Sequence, residues 1–277
     1  MKRFEPESLR RWFRINTFMI KLRNVVGLFD GVSCGQVALQ RAGIHYDTYY
    51  ASEIDKHAQV VTQRNFPDTV QLGDVTKWRE WDLKDVDLIM GGSPCQGFSV
   101  AGRHLNFDDP RSALFFEFLS MIRHYKPKYF LLENVKMRQD IQDAISAELG
   151  VEPILINSNL VSAQNRKRLY WTNIPDVKLP KDQGISLESI LEIPAESGIT
   201  VRPKSKCVRV GGRQAYDRHE WDSIDNTHSR KFTVLECERL QTLPDGYTEG
   251  ISNTQRYKTL GNGWTVDVIA HIFRNIR

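Results

Sequence analysis

Four times between Val25 and Gly150 a short apolar run ends in a turn and gives way to a helical pattern. "VVGLF" (25–29) precedes "QVALQRAG" (36–43), and "YYASE" (49–53) precedes "IDKHAQVVTQRNF" (54–66). "DLIMGG" (87–92) leads through a loop to "SALFFEFLSMIRHY" (112–125), and "YFLLENV" (129–135) leads to "RQDIQDAISAELG" (138–150). Two more strand-like runs follow, "EPILINS" (152–158) and "RLYWTN" (168–173). A chain that alternates in this way buries both kinds of segment by laying its strands side by side, mostly parallel, with helices on both faces. The expectation is an α/β fold. In such sheets the ligand sits at the carboxyl ends of the strands, where the glycines after the first strand, Glu53, the loop after Gly92 and Glu133 all fall.

The pattern lapses after Pro175. Residues 176–230 mix Pro, Gly and charge with weak periodicity and read as a small separate lobe, before regular helix returns with "TVLECERLQTLP" (233–244) and "TVDVIAHIFRNIR" (265–277). The chain therefore divides into a basic extension (1–24), a main domain (25–175), the lobe (176–230) and a return to the main domain (231–277). The extension holds seven Lys or Arg against Glu5 and Glu7, with Trp12 and Phe13 among them. "QNRKR" (164–168) and "HSRK" (228–231) add further basic clusters. Local positive charge of this kind suits a polyanion.

Across 277 residues, 40% are hydrophobic and 26% charged, the balance of a soluble globular protein. No apolar run approaches the ~20 residues of a membrane span, and the N-terminus has neither the apolar core nor the cleavage site of a secretory signal. Cys34, Cys95, Cys207 and Cys237 are far apart and form no CxxC pair. That spacing argues against a disulfide scaffold and against a zinc site, and it fits a reducing cytoplasm.

The turn "GLFDGVSCG" (27–35) places Gly27, Gly31 and Gly35 where a strand opens into a helix, so that the backbone can approach a nucleotide-like ligand. The spacing is not GxGxxG, so the dinucleotide fingerprint is absent. Glu53, ending the second strand, stands where a carboxylate takes both hydroxyls of a ribose. Asp74, in "LGDV", could accept from an adenine amino group. Together they describe an adenosine-shaped cleft, although each acid alone reads more readily as a cap or turn residue. Cys95, in "GGSPCQGFS" (91–99), follows a proline among glycines at the end of a buried strand. A packing cysteine belongs inside the strand. This one is presented, and Arg166 and Arg168 would favour its thiolate if "QNRKRLYW" folds back onto the cleft. Glu133, beyond a strongly apolar run, is expected to be partly out of water, a setting that lets a carboxyl donate a proton near neutral pH.

In order along the chain stand "GLFDGVSCG", "SEID", "GDV", "GGSPCQGFS", "LENV", "QNRKR", "ERLQTLP" and "GNGW". From about Val25 onward this series resembles the DNA (cytosine-5) methyltransferases. The resemblance implies a Rossmann-like S-adenosylmethionine-dependent methyltransferase fold, with 176–230 as the target-recognition lobe and duplex DNA as partner. Cys95 resembles the nucleophile that adds to carbon 6 of cytosine, and Glu133 the acid at ring nitrogen 3 and the amino group. Arg168 would hold the cytosine carbonyl oxygen, and Arg166 would support the catalytic loop or a phosphate. Phe29, Asp30, Gly31, Ser33, Gly35, Glu53, Ile54, Asp74, Val75 and Pro94 would line the cofactor pocket, closed by Asn262 and Trp264. Gln96, Gly97, Ser99, Arg103 and Gln164, with Arg202, Lys204, Arg209 and Arg213 of the lobe, would meet DNA. A base inside a duplex is out of reach, so the target would be flipped out, and the loop 96–110 would close over it.

Two departures from the usual bacterial pattern stand out: that pattern has an acid where Gly27 stands and a small residue at Asp30. "GLFDG", "YYASE", "LFFEF" and the last tryptophan look like the animal de novo enzymes, whereas Gln96 is closer to the bacterial form. The expectation is a stand-alone prokaryotic or phage-type enzyme of the cytoplasm, needing no metal or membrane. Its lobe is short, and homodimerisation through the aromatics of 114–118 would compensate, although core packing explains that stripe at least as well. An RNA cytosine-5 methyltransferase of the same fold and an inactive DNA-binding subunit are the rival readings.

Overall fold

The computed structural model of the chain describes residues 20–93, 110–192, 201–209 and 232–277. Among them one sheet is built from β1 (Lys21–Leu28), β2 (His45–Ser52), β3 (Val70–Gln71), β4 (Val86–Gly91), β5 (Tyr129–Val135), β6 (Ile154–Asn157) and β7 (Lys167–Thr172). The spatial order is β3-β2-β1-β4-β5-β7-β6. β1 to β5 are parallel, and β7 alone runs antiparallel, between β5 and β6. The order reverses between β1 and β4, which opens a crevice at their carboxyl ends.

The helices are α1 (Cys34–Ala42), α2 (Lys56–Asn65), α3 (Pro110–Tyr125), α4 (Gln139–Leu149), α5 (Val234–Leu240), α6 (Asn253–Asn262) and α7 (Val266–Phe273). Successive strand residues point to opposite faces, and here both faces are dry. Val25, Leu88 and Leu131 join a core with α1, α5 and α7, while Val26, Ile89 and Leu132 join a second core with α3 and α4. This is why the central strands read as unbroken apolar runs. α1 and α4 stop at Gly43 (φ 73) and Gly150 (φ 71), which adopt the left-handed cap that glycine takes without strain. A reciprocal capping box between Thr233 and Glu236 starts α5.

Three expectations change. Leu187, Ile190 and Val208, from the expected lobe, are buried in the same core as Val25. Ser205 N donates to Ala163 O at 2.7 Å, and Leu187 N to Pro203 O at 2.9 Å. The described parts of 176–230 thus pack into the main body. Their few apolar residues are spaced too irregularly to show a period, yet they suffice to seal a core. α6 was not expected, because its polar sequence buries only Thr259, Leu260 and Gly261. Finally, Phe115 and Phe118 are 1% and 0% exposed inside the second core, with Phe116 packed against it. Their spacing turns Phe115 and Phe118 onto the sheet, which leaves the half-buried Phe116 as the one ring of 114–118 with a solvent-facing part. The extension up to residue 19 lies outside the described residues.

Candidate active site

The turn from β1 into α1 carries three left-handed residues: Phe29 (φ 53), Gly31 (φ 58) and Ser33 (φ 56). For a non-glycine residue this costs on the order of 1–3 kcal/mol, so the surroundings must hold it. Asp30 N donates to Ser52 O at 3.1 Å, and Gly31 N to Oε2 of Glu53 at 2.8 Å. Oε1 of Glu53 accepts from Ile54 N and Asp55 N at 2.8 and 2.7 Å. A carboxylate offers about four acceptor sites, so a diol arriving here would share or displace one of these bonds. Beside it the Ile54 side chain is left 74% exposed.

Asp30 accepts from Tyr49 Oη at 2.5 Å and from Ser33 Oγ. Burial pushes its carboxyl up to about 6, the bonds from Ser33 and Tyr49 pull it down, and the charge of Glu53 raises it further. An acid held at that level favours a cationic neighbour. Hydroxyl-accepting oxygens on Glu53, an open apolar face on Ile54 and the half-buried acid Asp30 thus stand together at this turn. Asp74 caps the turn Val75–Glu80 by accepting from Thr76 N at 2.9 Å, a bond that holds its carboxyl below the usual range. Val75 is buried in the second core. Gly35 lets the end of the Met90 side chain lie against the backbone, and a side chain there would push that thioether aside.

Across the crevice, a Cβ on Gly92 would lie 3.0 Å from both Oε2 of Glu133 and Nε1 of Trp264. The acid, the tryptophan and the bare backbone before residue 94 therefore converge. Asn262, exposed, ends α6 two residues before Trp264. Glu133 lies opposite Tyr170 in the β5–β7 ladder, so Arg168 is its diagonal neighbour, and Arg168 Nε stands 2.9 Å from Glu133 Oε1. Both side chains are largely buried, which concentrates their field at the end of the sheet. Nδ2 of Asn134 donates to O and Oγ of Ser93, each at 3.3 Å. That pins the last described residue before Pro94 and Cys95.

Pro94, Cys95, Gln96, Gly97, Ser99, Arg103 and Arg213 lie outside the described residues. Several of the others are placed differently from expectation. Arg166 is buried, its Nη1 donating to Val208 O at 2.9 Å and its Nη2 to Gly263 O at 2.8 Å. It clamps backbone and offers nothing to a phosphate. Gln164 is buried as well, with Nε2 donating to Leu240 O at 2.6 Å, and Lys204 Nζ donates to the carbonyls of Asn159, Ser162 and Ile185. In each case a long polar side chain is spent on backbone carbonyls inside the packed protein. Arg202 Nε is buried and makes no hydrogen bond among the described residues, which leaves Arg209 in solvent.

Sequence reasoning overlooked Tyr49, Asn134 and Cys207. Tyr49 and Asn134 sit inside strand patterns that read as packing. Cys207 Sγ lies 3.1 Å from Arg166 Nη1 and 3.9 Å from Arg168 Nη2, a juxtaposition that no local pattern announces. By contrast, Cys34 is an inert core thiol that burial pushes up to about 12. Among the described residues no His, Cys, Asp or Glu cluster is placed to hold a metal, and no helix is long and apolar enough to cross a membrane.

The family model described as C-5 cytosine-specific DNA methylase matches residues 23–177 and 156–277. The orphan methyltransferase M.SPRI of Bacillus phage SPR is 30% identical over 261 residues, covering 88% of this chain and 59% of its own length. The type II methyltransferase M1.ScrFI of Lactococcus lactis subsp. cremoris is 30% identical over 299 residues, covering 88% of this chain and 75% of its own. This chain thus spans well under two thirds of the phage relative. A solved mutant of Spodoptera frugiperda DNMT2 shares the fold, with a TM-score of 0.67 at 23% identity over 91% of this chain and 99% of that one.

Proposed function

The chain belongs to the C-5 cytosine-specific DNA methylase family, and on that premise we propose that it methylates carbon 5 of cytosine in duplex DNA. The observation that carries this reading is the Glu133–Arg168 pair at 2.9 Å beside the bare backbone of Gly92. It presents one acid and one guanidinium side by side, the complement of the N3–C2=O edge of cytosine.

In this reading the target base leaves the stack, at a cost of a few kcal/mol, and enters the crevice. The Cys95 thiolate adds to carbon 6, forming a C–S bond, and ring electron density moves toward N3. Glu133 donates a proton there, and Arg168 stabilises charge on the carbonyl oxygen. S-adenosylmethionine, when bound against Glu53, Ile54 and Asp30, supplies an electrophilic methyl group to carbon 5. Loss of the carbon-5 proton to a base, expulsion of the Cys95 thiolate and return of the N3 proton to Glu133 then restore the aromatic ring.

The test is transfer of a tritiated methyl group to unmodified duplex DNA, with transfer RNA as competitor, followed by mapping of the modified base. Label on cytosine in DNA, abolished by Cys95→Ala with DNA binding retained, is the expected result. Label confined to RNA would replace the substrate, and a Cys95→Ala variant that still methylates would remove the nucleophile.

A further inference from the structure

Gln241, the residue that ends α5, is wholly buried among apolar neighbours. Its Nε2 donates to Leu260 O at 2.6 Å and to Gly263 O at 3.1 Å. Its Oε1 accepts from Thr265 Oγ1 at 3.1 Å and from Gln164 Nε2 at 3.0 Å. Two bonds given and two accepted are the full capacity of an amide. The backbone oxygen of Gln241 adds a bond from Val266 N at 3.0 Å, at the start of α7. One buried residue thus grips the chain before and after Trp264. That grip matters because of where the short connection from α6 to α7 lies. On one side, a backbone hydrogen bond joins Trp264 to the thiol of Cys34, which opens α1 directly after the strained turn at Phe29–Ser33. On the other, the Trp264 indole stands beside Gly92, just past β4, and the Glu133 carboxyl. The connection therefore spans the two walls of the crevice.

We propose that Gln241 is a positioning residue for cofactor binding, acting through Trp264. The proposal rests on the cofactor reading given above and names the group that fixes one wall of that crevice. Being wholly buried, Gln241 touches no ligand itself. An apolar side chain of the same length would fill the space, so the amide is needed for direction rather than for volume. A buried polar network with every member satisfied rigidifies the backbone it joins. Here that backbone is the carbonyl just before Trp264 and the hydroxyl just after it. Arg166 Nη2 holds the same Gly263 carbonyl at 2.8 Å but makes no bond to Thr265 or Val266, so the far side of the indole is set by Gln241.

The experiment is a double-mutant cycle on cofactor binding. Calorimetry gives the dissociation constant of S-adenosylmethionine for wild type, Gln241→Met, Trp264→Ala and the double variant, and a melting temperature confirms that each is folded. Gln241→Met keeps the length of the side chain and removes its four bonds. It should bind the cofactor about tenfold more weakly than wild type. In the Trp264→Ala background the same change should move the constant by less than about twofold, because the group it acts through is gone. Thr265→Val removes only the hydroxyl beyond Trp264 and should repeat the pattern at smaller size, which keeps the test open if Gln241→Met does not fold. Wild-type affinity in both Gln241→Met and Thr265→Val makes the amide a packing group and overturns the proposal. An equal loss in both backgrounds means general loosening and overturns it too, as does a Trp264→Ala variant that binds like wild type. A wild type that does not bind S-adenosylmethionine overturns the cofactor reading, and this role with it.

Discussion

Oδ1 of Asp30 lies 2.5 Å from Oη of Tyr49, and the two together fill the space that a side chain on Gly27 would need. The usual bacterial pattern has an acid at the position of Gly27 and a small residue at that of Asp30. Here the acid stands three residues later in the chain, and its carboxyl returns to the same place. Gly27→Ala should therefore displace Asp30 and cost about 1–3 kcal/mol by overpacking, with weaker cofactor binding, read by thermal denaturation and calorimetry. Gly27→Asp combined with Asp30→Ala should bind the cofactor better than either single variant. A double variant as poor as the worse single would show that the two positions are not equivalent.

The carboxyl of Asp30, raised to about 6 from an ordinary 3.8, makes a prediction about pH. Between those values the folded chain holds a proton that the unfolded chain has lost. The Asp30 contribution to stability is thus greatest below about 4 and declines as pH rises through 6. Asp30→Asn should remove that decline, so wild type should lose stability relative to the variant between about pH 4 and 6 in urea titrations. A cationic ligand favours the ionised form, so cofactor affinity should weaken below pH 6 in wild type and stay level in Asp30→Asn.

Glu133→Gln keeps the shape of the side chain but cannot supply the same proton. Single-turnover methyl transfer should fall by about 10²–10⁴, while cofactor affinity changes less than twofold. Arg168→Ala leaves the Glu133 carboxyl buried without its cation and should also cost roughly 3 kcal/mol in stability. Loss of stability with unimpaired transfer would reduce the pair to scaffolding.

Arg166 and Gln164 separate structure from recognition. Arg166→Ala removes charged donors from the carbonyls of Val208 and Gly263, the latter keeping its bond from Gln241 Nε2, and should destabilise the fold by roughly 3 kcal/mol, since bonds to charged groups are worth ~1.5–3 kcal/mol each. Gln164→Ala should cost roughly 1–2 kcal/mol on the same grounds. The DNA affinity of the folded protein should move less than twofold in either variant. A large fall in affinity without loss of stability would return them to the DNA interface.

Local pattern alone was enough for the main strands, for the helices that cap at Gly43 and Gly150, and for the convergence of Glu53, Gly92 and Glu133 on one crevice. Continuous apolar runs demand two covered faces, and parallel strands with helical crossovers put their carboxyl ends on one side. Glu53 and Glu133 were legible because they end such runs. What the sequence left open depends on which distant groups arrive at the same place. Arg166 and Arg168 are two residues apart, yet one closes backbone carbonyls and the other faces Glu133. Asn134 reaches Ser93, and Asp30 returns to the space beside Gly27. Gln164 and Lys204 resembled a basic surface because polarity does not say whether its partner is solvent or a buried carbonyl. Only the packing of the loops after β7 decided that, since a carbonyl cut off from water must take its donor from whichever side chain the fold brings within reach.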